Sequence, residues 1–293
     1  MSQQQQQQQP QQQRQQQPTV PSIAALFNQQ LHRGEQQSNC KLQPNEKKKI
    51  KRNEVLQNVA KFFGELFGTA ILVYVGCLGC THSPSISNSA FQASFAFGLA
   101  VLIAIQCFGC VSGAHINPAV TLASLVYEQI TWFMAIYYVV AQILGGLIGY
   151  GLLIASLPKN MLTNEMTPRG ACVTFVVSNL PYWQGFLIEF LITAVLICVC
   201  CGIWDQRNAE QKDSIPIRFG LTVGCIAIAG AQYTGASMNP ARSLAPAVWN
   251  NSWEHHWIYW VAPLVASLIT SLAYKYGFRN TPERPSKVNI SQP

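Results

Sequence analysis

Two short stretches of this chain carry the same three residues in similar surroundings. They are Asn117-Pro118-Ala119 within "SGAHINPAVTL" and Asn239-Pro240-Ala241 within "TGASMNPARSL", with 122 residues from Asn117 to Asn239. Proline lacks an N–H and is pre-set for a first helical turn, and an asparagine ahead of it can cap that turn with its side-chain oxygen. Each triplet therefore predicts a helix start, with a partial positive end and an asparagine amide facing whatever lies ahead. Two such ends brought together could hold one oxygen of a neutral polar molecule, break a hydrogen-bonded file of water and repel cations and protons. Small residues at Ala119 and Ala241 would let the ends approach closely. Arg242 follows the second triplet and offers fixed donors to a hydroxyl or carbonyl oxygen. Rings of carboxylates, which an ion pathway would use, appear at neither stretch. The plainer reading, that each triplet merely opens a buried helix, does not explain two copies in register.

Positioning these residues falls to a very apolar chain. It has 293 residues, of which 49% are hydrophobic and 11% charged, less than half the charge of a typical soluble domain, which is about a quarter. Apolar windows recur at 59–79, 91–110, 131–155, 183–203, 217–231 and 256–275. About 20 apolar residues suffice for a helix to cross a bilayer. The fifth window is short and is expected to extend at either end. Runs this long and uniform predict helices rather than the strands of a barrel. The stretches holding the triplets are apolar but too short to span, which predicts re-entrant half-helices. A second echo, "GELFGTA" against "IEFLITA", sets Glu65 and Glu189 124 residues apart. Three spans and a half-helix per repeat make an odd number of crossings, so the second copy must be inverted and the broken elements meet at the midplane. The expected fold is an all-α membrane protein of six transmembrane helices and two half-helices, with repeats at about 55–155 and 180–275.

Six spans put both termini on one side. "KKKIKR" (Lys47 to Arg52), the 204–218 loop and Lys275 with Arg279 all fall there, which marks that side as cytoplasmic. The net charge of +7 is thus a topology signal beside a lipid bilayer, and no nucleic-acid partner is expected. Residues 1–54 are rich in Gln and bury too little to offset chain ordering, so a disordered cytoplasmic tail is expected. They hold no apolar core of a signal peptide. The channel domain would run over 55–275, and 276–293 would form a cytoplasmic C-terminal tail.

Glu65 and Glu189 sit inside apolar spans, where a carboxylate must be paired or hydrogen-bonded. Structural support through the N–H groups of the re-entrant loops is the expected role, and a proton relay the alternative. His115 could line a pore or bond a loop carbonyl. Most of the ten cysteines lie in apolar runs, Cys107, Cys110, Cys198, Cys200, Cys201 and Cys225 among them, and read as packing residues. Cys80 and Cys172, near loops expected outside, could pair. No spacing fits a zinc site, so no metal is expected. No cofactor motif and no nucleophile–base pair indicates an enzyme. Asn250-Asn251-Ser252 is a glycosylation sequon on the expected outer side.

At these residues the chain resembles the aquaporin, or major intrinsic protein, family over about 55–275. Both Asn-Pro-Ala triplets, the arginine after the second, and Glu65 and Glu189 carry the resemblance. It implies passive permeation, one pore in each subunit of a homotetramer, cytoplasmic termini and a multi-pass location, expected to be the plasma membrane. It also implies a selectivity filter of Phe97, Ala227, Ala236 and Arg242. Water-selective members usually place histidine where Ala227 stands, whereas Ser243, Ala247 and Tyr259-Trp260 look like the water-channel branch. That combination resembles the insect entomoglyceroporins. The leading expectation is a channel for glycerol, urea and similar neutral solutes, with water also passing. The alternative is a mainly water-selective aquaporin, and a third reading is a structural or adhesion protein with a closed pore. The family's common mercury-sensitive position corresponds to Ala236, so block by mercurials is expected only if Cys225 or another thiol reaches the lumen.

Overall fold

The computed structural model describes residues 44–83, 88–165 and 167–279. The helices are α1 (Pro44–Leu78), α2 (Ala90–Ser112), α3 (Pro118–Val126), α4 (Trp132–Ser156), α5 (Lys159–Leu162), α6 (Tyr182–Trp204), α7 (Ile215–Thr234), α8 (Pro240–Asn250) and α9 (Ile258–Gly277). Among the described residues six segments are long and apolar enough to cross a membrane: Arg52–Leu78 of α1, and α2, α4, α6, α7 and α9. The fold is all-α, with α3 and α8 as the half-helices. The short fifth window does extend at both ends. Pro216 lies in the first turn of α7, and Gly235, left-handed at φ 83°, ends it.

The chain divides into two compact units, 1–54 and 55–293. Of the first, residues 1–43 lie outside the described residues, as do 280–293, so the expectation of disordered tails there falls outside them too. Residues 44–54 are helical rather than disordered. Pro44 occupies a first-turn position, and the following Lys, Glu, Gln and Leu are good helix formers uninterrupted by Gly or Pro.

Within the second unit the two repeats interlock. Half-helix α3 packs on α9, and half-helix α8 packs on α4, so each rests on the last span of the other repeat. Ser267 of α9 donates to the Ala119 carbonyl at 2.6 Å. Helices α2 and α7 cross at Gly98 and Gly220, where a Cβ on either glycine would stand within 2.8 Å of the other's carbonyl oxygen. Gly145 of α4 lies directly against the Leu66 carbonyl of α1. Small residues of this kind let membrane helices gain close backbone packing.

Loops at the two faces are fixed differently. On one face Arg207 donates to Asp205 at 2.6 and 2.9 Å and to the Phe278 carbonyl at 2.8 Å. The hydrogen bonds from Arg207 hold the Asp205 carboxyl down at about 2. Lys275 bridges Glu128 at 3.0 Å and the Val126 carbonyl at 3.1 Å. On the other face a disulfide joins Cys77 to Cys172. The expected pairing of Cys172 with Cys80 is therefore corrected. Cys77 is the fully buried thiol in the last turn of α1, with its Cα 5.3 Å from that of Cys172. Cys80 lies beyond the helix end, and its thiol donates to the Gly76 carbonyl at 3.5 Å.

The sequon asparagine is also occupied. Asn250 Nδ2 donates to the Tyr150 hydroxyl and the Pro246 carbonyl, both at 2.8 Å, and Gly170 packs against the same amide. A glycan would have to replace a hydrogen on that nitrogen. Glycosidase treatment of protein made in a glycosylating host is expected to leave its mobility unchanged. Gly145→Leu is expected to cut the yield of monodisperse protein several-fold, since overpacking of this kind costs about 1–3 kcal/mol or more. Size-exclusion profiles at matched expression would check it.

Candidate functional site

The site begins at two helix caps. Asn117 and Asn239 are extended, at φ −158° and −146°, and each is followed by proline in the first helical turn. Asn117 Oδ1 accepts from the Ala119 N–H at 2.8 Å. Asn239 Oδ1 accepts from the N–H groups of Ala241 at 3.0 Å and Arg242 at 3.3 Å. The amide nitrogens cross between repeats: Asn117 Nδ2 donates to the Met238 carbonyl and Asn239 Nδ2 to the Ile116 carbonyl, both at 2.8 Å. An asparagine amide has two hydrogens, so each keeps one for the cavity that both residues line.

Those carbonyls come from residues in an uncommon conformation. Ile116 and Met238 have φ of 47° and 52°, and Ala114 and Ala236 have 45° and 44°. The left-handed region costs an L-residue roughly 1–2 kcal/mol. Two fully buried carboxylates oppose that cost. Glu65 Oε1 accepts from Ser112 Oγ at 2.7 Å and the His115 N–H at 2.9 Å, and Oε2 from the Ile116 N–H at 2.7 Å and Gln142 Nε2 at 2.8 Å. Glu189 Oε1 accepts from Thr234 Oγ1 at 2.6 Å and the Ser237 N–H at 2.9 Å, and Oε2 from the Met238 N–H at 3.0 Å. Charge-assisted bonds of this kind are among the strongest a protein makes. Both carboxylates are at 0% exposure and stand behind the cavity wall rather than on it. That position leaves a proton relay no direct contact with the lumen.

The cavity has a volume of about 520 Å³. Besides the two asparagines, Phe97, Ala227, Ala236 and Arg242 all line it. Pro118, Ala119, Pro240 and Ala241 are buried and do not line it. His115 does, and its Nδ1 lies 3.2 Å from Thr121 Oγ1. It thus reaches the lumen while bonding a hydroxyl rather than a loop carbonyl. Arg242 is only 6% exposed. Its Nη1 donates to the Cys172 carbonyl at 2.8 Å, and its guanidinium carbon stands 4.5 Å from the centroid of the Phe97 ring. A carbonyl and a ring face thus hold the cation, whose guanidinium carries further N–H donors in a residue that lines the cavity. Among the described residues no three His, Cys, Asp or Glu side chains converge to hold a metal ion.

Sequence reasoning missed several of these partners. Gln142 is a lone amide in an apolar span and could have been noticed. The Cys172 carbonyl could not, because a main-chain acceptor carries no side-chain signal. Thr174 donates to Ser243 at 2.9 Å and so pins the same loop to α8.

Comparison with known proteins bears on the same region. The family model described as "Major intrinsic protein" matches residues 52–274, well over half of the chain. Aquaporin-2 of Homo sapiens is 36% identical over 218 residues, covering 73% of this chain and 77% of that protein. This chain belongs to the major intrinsic protein family. Members of that family are passive channels rather than enzymes. Aquaporin-4 of Notomys alexis is 40% identical over 164 residues, 56% of this chain and 48% of the relative. The chain thus spans about half the length of the aquaporin-4 relatives it matches. The solved structure of the aquaglyceroporin from Plasmodium falciparum superposes with a TM-score of 0.67 at 24% identity, covering 75% of this chain and 96% of that one. That likeness supports the fold.

In this major intrinsic protein the thiol on the cavity wall is that of Cys80, whereas Cys225 does not line the cavity. Mercurials are therefore expected to slow osmotic swelling of vesicles containing the protein. Cys80→Ser should abolish the block and Cys225→Ser should leave it. Block that survives Cys80→Ser would move the reactive thiol elsewhere.

Proposed function

We propose that each subunit forms a passive pore for water that excludes ions and protons. One observation carries this reading: two asparagine-capped half-helices from opposite repeats present amide donors to one cavity, with the buried Arg242 on its wall. Donors that converge from two helix ends orient a water oxygen and break the proton-conducting file, and the positive ends and Arg242 oppose cations. The relatives, named aquaporins, agree with water as the permeant. The finer assignments belong to the same reading. Asn117 and Asn239 orient the permeant, and Phe97, Ala227, Ala236 and Arg242 form the filter. Glu65 and Glu189 support the loops, and His115 lines the lumen. A channel domain over 55–275 between cytoplasmic tails, a homotetramer and a plasma-membrane location complete it.

A second reading extends the first to glycerol and urea. It rests on Ala227 and Ala236, which give two walls of the filter only a methyl group each. A carbon backbone could slide along Phe97 while its hydroxyls meet Arg242. Ala227 together with Ser243, Ala247 and Tyr259-Trp260 is the combination that resembles the entomoglyceroporins. Water is the better supported permeant, and the wider range depends on those two alanines alone.

Ala227→His separates the two. In vesicles of matched protein content, the substitution is expected to lower glycerol and urea permeation by roughly tenfold or more, the scale on which a modest change in pocket bulk discriminates substrates. Water permeation should be largely retained. If glycerol flux is negligible before the substitution, the water-selective reading stands alone.

A further inference from the structure

We infer that the Cys77–Cys172 disulfide is a specificity-determining positioning device: it fixes the carbonyl that holds Arg242, and cutting it relaxes the discrimination of the pore between water and larger neutral solutes. The inference rests on the pore reading above.

Three observations meet at Cys172. Its Sγ is bonded to Cys77 in the last turn of α1. Its carbonyl oxygen accepts from Arg242 Nη1 at 2.8 Å. Its backbone is left-handed at φ 69°, a conformation an L-residue holds only when its surroundings enforce it. The direction of that carbonyl is therefore imposed, and the covalent link to α1 is the strongest constraint on the residue. The neighbouring carbonyl, that of Ala171, accepts from the Tyr150 hydroxyl at 2.7 Å. Cys77 also belongs to the filter's surroundings, because its neighbour Gly76 packs directly against the Phe97 ring. One cross-link thus joins the backbone behind Phe97 to the acceptor of Arg242, the two residues whose cation–π contact forms one side of the cavity.

Arg242 needs such a device. The facing positions, Ala227 and Ala236, are too small to confine a long side chain. Without the Cys172 acceptor only the Phe97 ring remains of the two contacts to its guanidinium. A donor that wanders among rotamers discriminates less than one held in place. Selectivity here depends on position as well as on residue type.

Cys172 lines the cavity, so the reductant used is a small one. A dithiol supplies the electrons. The Cys77–Cys172 S–S bond breaks, the dithiol gives up two electrons and two protons and closes to its cyclic disulfide, and each cysteine gains one S–H.

The test uses the full chain, folded and reconstituted in vesicles before any reduction. Water and glycerol permeabilities are measured before and after dithiol treatment, and cleavage is verified by two additional alkylated cysteines in the mass spectrum. The glycerol-to-water ratio is expected to rise by about threefold or more, since a charge-assisted hydrogen bond biases a side-chain population by roughly tenfold. A channel that passes no measurable glycerol at the start should begin to pass it. Cys77→Ser/Cys172→Ser should show the relaxed ratio already and ignore the dithiol. If that variant does not fold, the reduced wild-type protein gives the answer by itself. An unchanged ratio after verified cleavage overturns the inference, as does a parallel fall of both fluxes, which is what a merely structural cross-link would give. Absence of water permeation before reduction is a different result, and it defeats the pore reading instead.

Discussion

Everything at the centre of this molecule depends on two buried carboxylates pulling two loops into a conformation they would otherwise avoid. Glu65 and Glu189 take the N–H groups of His115 and Ile116, and of Ser237 and Met238. Those loops turn through left-handed residues just before each asparagine. With the N–H groups consumed behind the wall, the carbonyls of Ile116 and Met238 accept the amide of the opposite asparagine. The half-helices then start from a fixed point and end against the other repeat. Removing a carboxylate would leave buried N–H groups without acceptors, each at a cost of about 1–3 kcal/mol. The polar lumen therefore follows from satisfying buried polar groups where no water competes for them.

The same logic accounts for the companions of each carboxylate. Thr69 and Thr193 bond the carbonyls of Glu65 and Glu189 at 2.7 and 2.6 Å. Tyr138 and Tyr259 donate to the carbonyls of Ser112 and Thr234 at 2.7 and 3.0 Å. Each pair is separated by nearly the offset that relates the asparagines. An inverted duplication therefore builds both walls of the midplane from one set of interactions. Only a few additions, such as Gln142 beside Glu65, belong to one side.

How much of this could be read from the sequence follows from what carries a side-chain signal. The six spans and two half-helices were legible because bilayer thickness imposes their length. The inversion followed from counting crossings between Asn117 and Asn239. The carboxylates stood out as charges in apolar runs. Less legible was everything set by the backbone. Each turn opens on a left-handed glycine, Gly113 or Gly235, but its further left-handed positions fall on Ala114, Ile116, Ala236 and Met238, where composition gave no warning. The cysteine pairing was misplaced by three residues, since no side-chain signal in the sequence separates Cys77, in the last turn of α1, from Cys80, just beyond its end. The helical start at Pro44 was hidden by a polar, Lys-rich composition that suits either a tail or a helix.

On the proposed reading, selectivity arises where the duplication fails. Val120 stands in the first repeat where Arg242 stands in the second, at the same offset as the asparagines, and both line the cavity. Phe219 stands where Phe97 does, and again both line it. The two halves of the lumen thus share an aromatic wall, but only one carries a fixed cation. A permeant meets similar apolar surfaces on both sides of the asparagines and a strong donor on one side alone. Such a donor cannot be balanced by the repeat, because nothing equivalent faces it from Val120. It is held instead by parts with no counterpart in the first half: the Cys172 carbonyl, the disulfide behind it and the Thr174–Ser243 contact. The midplane is what the two repeats share, and on the proposed reading discrimination between permeants depends on what Arg242 and the loop carrying Cys172 and Thr174 add to it.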